Sequence, residues 1–161
     1  MVRVWKYGDH VNTDLIISGR YLDDYDISSL AEHAMEDIDA EFVDRVEVGD
    51  IIVAGRNFGC GSSREQAPAV LKEKGVGAVF AQSTARIFHR NAINIGLPVL
   101  ISQDACKLLE SGDEVELDIS SGTIIRSRDN LRMEFEPLPE YLMKILDKGG
   151  LIPYTRKMLS K

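Results

Sequence analysis

Apolar positions along the chain follow two rhythms. Residues 2–7, Val-Arg-Val-Trp-Lys-Tyr, place apolar side chains at about every second position, the period of a half-buried strand. Gly8-Asp9 turns the chain, and Leu15-Ile16-Ile17 is a short apolar run that reads as strand-like. Ser29 and Glu32 have capping-box spacing, which predicts a short helix over 29–37. Ile51-Ile52-Val53-Ala54, Ala78-Val79-Phe80-Ala81 and Val99-Leu100-Ile101 are continuous apolar runs between turn residues. Such runs mark strands buried on both faces. Helical stretches separate them. The first ends near Lys74-Gly75; the second is capped by Ser83 or Thr84 and stops at Gly96. Strand, loop, helix, strand, helix, strand predicts a parallel sheet with right-handed crossovers. Ser102 is placed to cap a further helix ending near Gly112. Over 114–136 the alternation returns, in Val115-Glu116-Leu117-Asp118-Ile119, Ile124-Ile125 and Met133-Glu134-Phe135, with a turn at Ser121-Gly122. That texture predicts an antiparallel meander beside the parallel core. Pro139-Glu140 opens a final helix that stops at Gly149-Gly150.

Length and composition bound this α/β picture without altering it. A chain of 161 residues suits a single domain over 1–161, and 44% hydrophobic residues suffice for a buried core. The net charge of −7 comes with no basic cluster, which argues against a nucleic-acid partner. No apolar run has the length needed to span a membrane. The first residues, Met1-Val2-Arg3-Val4-Trp5, lack the apolar stretch of a secretory signal. The two cysteines, Cys60 and Cys106, form no C-x-x-C pair, so no metal-ligand set is visible. The expectation is a soluble cytoplasmic protein with free thiols.

One segment concentrates the chemistry: Gly55-Arg56-Asn57-Phe58-Gly59-Cys60-Gly61-Ser62-Ser63-Arg64-Glu65. It follows a predicted parallel strand, where α/β folds bind their ligands. Its glycines let the backbone approach a ligand closely. The next helix offers unpaired N–H groups, and two arginines and two hydroxyls lie beside them, so a carboxylate can be held here. Ser62-x-x-Glu65 is also a capping box, as is Ser63-x-x-Gln66 in looser form. Pattern alone leaves each serine open between cap and catalysis. Pro68 favours a helix starting nearer Gln66, because proline suits only the first turn. The Lys of a Walker loop and the third Gly of a dinucleotide fingerprint are both missing.

These residues carry a resemblance. Asn57-Phe58-Gly59-Cys60-Gly61-Ser62-Ser63-Arg64-Glu65-Gln66-Ala67-Pro68 resembles the signature of the swivelling domain of the aconitase superfamily. Val4-Trp5-Lys6-Tyr7-Gly8-Asp9-His10-Val11-Asn12-Thr13-Asp14 and Ala85-Arg86-Ile87-Phe88-His89-Arg90-Asn91-Ala92-Ile93-Asn94-Ile95-Gly96-Leu97-Pro98 resemble two further family motifs, in order. The likeness is strongest to the branch that carries this domain on a separate small subunit.

The resemblance implies an aconitase swivelling-domain-like fold and a hydro-lyase that isomerises a small hydroxy-dicarboxylate by dehydration and rehydration. It implies a large partner subunit bearing a 4Fe-4S cluster, with no cofactor in this chain. By motif position Ser62 is the base that removes the carbon-bound proton. Arg64 binds a substrate carboxylate and favours the charged serine, and Ser63 bonds the same carboxylate. Asp14 matches an active-site acid, although an Asp in a turn is also a common local cap. Cys60 packs near substrate, and His10 and His89 are surface or structural residues; Arg86 and Arg90, four apart on one helix, are ordinary salt-bridging residues, or one of them faces the large subunit. The segment Arg20-Tyr21-Leu22-Asp23 matches the loop that meets the variable part of the substrate. Asp23 and Asp24 repel an added carboxylate, which favours isopropylmalate over homoaconitate; citramalate and dimethylmalate are alternatives. A stand-alone anion-binding module is the rival from another class. An exposed partner-facing surface also allows homo-oligomers of the isolated chain.

Overall fold

A computed structural model describes residues 1–160. Strand β1 (Val2–Lys6) is followed by a one-turn helix α1 (Thr13–Ile16), a 3-10 turn (Gly19–Tyr21) and two short helices, α2 (Ile27–Ala31) and α3 (Phe42–Arg45). The parallel core runs β2 (Ile51–Ala54), α4 (Gln66–Glu73), β3 (Ala78–Ala81), α5 (Arg86–Asn94) and β4 (Val99–Ile101). Helix α6 (Gln103–Leu108) leads to the meander β5 (Glu114–Asp118), β6 (Thr123–Arg126) and β7 (Leu131–Glu134). Helices α7 (Glu140–Leu146) and α8 (Leu151–Leu159) follow.

The seven strands form one mixed sheet in the order β4-β3-β2-β1-β5-β6-β7. β1 is the joint: it pairs parallel with β2 and antiparallel with β5. The two-residue side-chain period divides each central strand between two cores. Ile52 and Ala54 face Phe58, Ala67, Leu71 and Phe88 on the side of α4 and α5. Ile51 and Val53 face Leu100, Ala105, Leu109, Ile124 and Phe135 on the side of α6 and the meander. Burial on both faces is why β2 and β3 read as unbroken apolar runs. Trp5 is fixed from both ends, with its indole N–H on Asp50 Oδ2 at 2.9 Å and its ring edge-on to Phe42.

Four local expectations differ from the structure, each for a physical reason. Leu15-Ile16-Ile17 belongs to a helical turn and its exit, because Asn12 caps α1 through Leu15 N–H at 3.0 Å. Both isoleucines are fully buried, and an apolar triplet fits either geometry. The helix expected over 29–37 starts earlier, capped by Asp26, and ends at Ala31. Its continuation is broken where Met35 takes a left-handed φ of 61° and gives its N–H to Ile16 carbonyl at 2.8 Å. Helix α5 has no side-chain cap; Ser83 and Thr84 pair with the loop after β2 instead. Helix α7 stops before Gly149-Gly150 as expected, but α8 follows it. Lys72 holds this connection in place by donating to the carbonyls of Ile95 and Gly149. Ser102 does cap α6, accepting from Ala105 N–H at 3.2 Å, and that helix ends at Leu108, ahead of Gly112.

Candidate active site

The loop after β2 is stitched to the loops after β1 and β3. On one side Gly59 N–H donates to Val11 carbonyl and Thr13 N–H to Cys60 carbonyl, both at 2.8 Å. On the other, Phe58 N–H donates to Ser83 carbonyl and Ala85 N–H to Phe58 carbonyl, both at 3.0 Å. Three strand-end loops therefore converge beyond the carboxyl ends of the parallel strands. Phe58 is fully buried and meets Phe88 edge-on, with centroids 5.2 Å apart. That contact requires Gly59: its φ is 73°, and a Cβ there would lie 2.2 Å from the Phe88 ring.

Beyond this anchor the backbone opens. Helix α4 starts at Gln66 and has no side-chain cap, so neither Ser62 nor Ser63 is a helix cap. Both are exposed, and among the described residues neither hydroxyl makes a hydrogen bond within the chain. Ser62 is held through its carbonyl, which accepts from Thr13 Oγ1 at 3.0 Å. The main-chain N–H groups of Gly61, Ser62, Ser63 and Arg64 donate to no main-chain carbonyl among the described residues. Successive free N–H groups favour an anion at their focus.

Arg64 is mostly buried and already paired. Its Nη1 donates to Asp14 Oδ1 at 2.5 Å and to Ile17 carbonyl at 3.1 Å. Asp14 Oδ1 also accepts from Gly19 N–H at 3.2 Å. The Arg64 guanidinium first, and the Gly19 N–H second, hold the Asp14 carboxyl below the usual carboxylate range. Asp14 thus orients Arg64 and ties the loop to the 3-10 turn.

A cavity of about 360 Å³ opens between the serine loop and α5. Gly61, Ser62, Ser63 and Arg64 form one wall; Arg86, Phe88, Arg90 and Asn91 form the other. Its lining contains three arginines and no carboxylate. Among the described residues neither Arg86 nor Arg90 joins an ion pair. The expectation of ordinary salt bridges for these two is therefore replaced. A signal was present in the sequence: Arg-Ile-Phe-His-Arg-Asn-Ala-Ile-Asn contains no acid to pair with either arginine.

The remaining expected residues lie apart from this cavity. Arg20 is clamped by Glu36 at 2.6 Å and Asp37 at 2.8 Å, and it lies over the Tyr21 ring. Tyr21 stacks on His33, with centroids 3.7 Å apart, and Leu22 packs against the core. Asp23 is exposed. None of the four lines the cavity, although Gly19 brings their segment against Arg64. Asp24 bonds within its own turn, accepting from Asp26 N–H. His10 faces Asn57 at 3.1 Å, and burial lowers the His89 pKa. Cys106 is buried, and burial pushes its thiol up to about 11. Among the described residues no group of three His, Cys, Asp or Glu side chains could hold a metal ion. No described helix is long and apolar enough to cross a membrane.

A mixed sheet with a serine–arginine loop at its carboxyl edge is the frame of the aconitase swivelling domain. The chain belongs to that family: the model described as the aconitase C-terminal domain matches residues 10–104. Within the family, the chain is 53% identical over 154 residues to the 3-isopropylmalate dehydratase small subunit of Clostridium beijerinckii, covering 96% of each chain. It is 49% identical over 158 residues to the small subunit of that name from Thermodesulfovibrio yellowstonii, covering 98% of this chain and 94% of the relative. The crystal structure of 3-isopropylmalate dehydratase from Methanocaldococcus jannaschii matches with a TM-score of 0.92 at 45% identity, covering 98% of this chain and 93% of that one.

Proposed function

We propose that this chain is the small subunit of a 3-isopropylmalate dehydratase. The enzyme is a hydro-lyase that interconverts 2-isopropylmalate and 3-isopropylmalate by dehydration and rehydration, a step of leucine biosynthesis. One observation carries the reading: two uncapped serine hydroxyls open onto an arginine-lined cavity with no carboxylate in it. Ser62 is the base that takes the carbon-bound proton. A serine hydroxyl is too weak an acid to ionise unaided, so its oxyanion must be stabilised by fixed donors. The free N–H groups of residues 61–64 and the Arg64 guanidinium supply that field. Ser63 and Arg64 hold a substrate carboxylate, and Asp14 keeps Arg64 in position. The segment Arg20, Tyr21, Leu22 and Asp23 borders the site through Gly19 and faces the variable side chain of the substrate.

In this reading a large partner subunit carries the 4Fe-4S cluster that acts on the leaving hydroxyl, as the small-subunit name of the relatives suggests; among the described residues no three His, Cys, Asp or Glu side chains gather into a metal-binding group. The two cysteines are free thiols, which suits a reducing cytoplasm. The whole chain, 1–161, acts as one swivelling-type domain that completes the partner's site. The test is to mix the purified chain with a reconstituted large subunit and follow alkene absorbance with 2-isopropylmalate. Turnover only in the mixture supports the reading. Full turnover by either chain alone, or turnover of another hydroxy-acid in preference, refutes it.

A further inference from the structure

We propose that Arg86 and Arg90 form a carboxylate anchor for the substrate, distinct from the Arg64 grip. The inference rests on the dehydratase reading above. The charge of Arg64 is already balanced by Asp14 at 2.5 Å. The uncompensated positive charge of the cavity therefore comes from α5, where Arg86 and Arg90 have no ion-pair partner among the described residues. Their placement is unfavourable for the helix itself. Arg86 occupies the first turn, where the helix dipole repels a cation. Arg90 lies four residues on, at the spacing that sets like charges against each other. Among the described residues no acidic side chain pairs with either arginine to relieve these effects. Two cations kept in such places, on a protein of net charge −7, face the cavity that holds Ser62 and Ser63. The cavity volume of about 360 Å³ matches a small-molecule site. A dicarboxylate reaches both walls: one carboxylate goes to Ser63 and Arg64, the other to Arg86 and Arg90.

The test uses the complex of this chain with its large subunit, in parent form and with R86Q, R86K or R90Q. Calorimetry measures binding of malate, a dicarboxylate, and of lactate, its monocarboxylate counterpart. R86Q should weaken malate about tenfold or more, the scale for a lost hydrogen bond to a charged group. It should leave lactate unmoved, and R86K should recover part of the loss. Isopropylmalate kinetics should show KM rising more than kcat falls. The R86Q chain should melt no lower than the parent, because a cation has left the helix N-terminus. Unchanged malate affinity in both R86Q and R90Q overturns the anchor. So does a loss confined to subunit association, which would give the arginines to an acid of the large subunit. Failure of the parent complex to turn over isopropylmalate would sink the dehydratase reading, and malate calorimetry still decides the anchor.

Discussion

Replacing Ser62 and Ser102 separately by alanine should divide catalysis from capping. Both serines stand near a helix start with cap-like spacing. Ser102 is 5% exposed, and its oxygen accepts from Ala105 N–H at 3.2 Å. Deleting that oxygen orphans a buried donor, so S102A should cost about 1 kcal/mol, within the usual N-cap range. For a domain of this size that is a fall of roughly 2–4 °C in Tm. Ser62 Oγ makes no hydrogen bond among the described residues, and α4 starts beyond it. S62A should therefore change stability by less than about 0.5 kcal/mol, as at an ordinary surface site. Turnover should show the reverse order. In its proposed role as the base, Ser62 should be worth about 10²–10⁴ in kcat, or about 3–5 kcal/mol of barrier. S102A should retain parental kcat once folded. Urea unfolding of the isolated variants gives the first pair of numbers, and alkene absorbance in the complex gives the second. A stability loss near 1 kcal/mol in S62A, or near-parental turnover, would return Ser62 to a structural role.

Three further outcomes follow from the same geometry. G59A sets a Cβ 2.2 Å from the Phe88 ring at a φ of 73°. The left-handed backbone and the overpacking together should cost roughly 2–4 kcal/mol, and an unchanged urea midpoint would show that the Phe58–Phe88 contact is not built as described. Burial holds the Cys106 thiol at about 11, so at pH 8 a thiol reagent should label the folded chain once, at Cys60, and twice after denaturation; rapid double labelling of the native chain would contradict this. Asp14 has a lowered folded pKa, so its ion pair with Arg64 contributes above the ordinary Asp value of about 3.9 and is lost only as pH falls through the lower folded value. Carboxyl-carbon NMR should show Asp14 titrating below a reference Asp, and a midpoint at or above the reference would mean that Arg64 is free.

The parallel core was legible because β2 and β3 are buried on both faces, and their unbroken runs, such as Ile51-Ile52-Val53-Ala54, are four residues long, β-branched in part and bounded by turn residues. Glycines after the helices were equally plain, since Gly75 and Gly96 take φ values of 92° and 84° that few other residues adopt. The expected helix over 29–37 failed because a tertiary bond overrode a local motif. Met35 gives its N–H to Ile16, a partner that no window around Ser29 contains. Ser83 and Thr84 failed as caps for a similar reason, being spent on the loop of Asn57 and Phe58. Capping patterns record which hydrogen bonds a residue can make, and the fold decides which it does make.

The same distinction governs the charges of the site. Motif position marked Arg64, and its spacing from the serines is visible in the sequence. That its charge is answered by Asp14, fifty positions away, is visible only in the fold. Arg86 and Arg90 present the converse case: unremarkable as helix surface, they acquire meaning when α5 is laid against the serine loop without an acid between them. A cavity must be charged by whatever remains unpaired after folding, so an arginine's pairing matters more than its distance along the chain. By that measure Arg64 is the oriented partner of a fixed acid, while α5 presents the charge that still requires an anion.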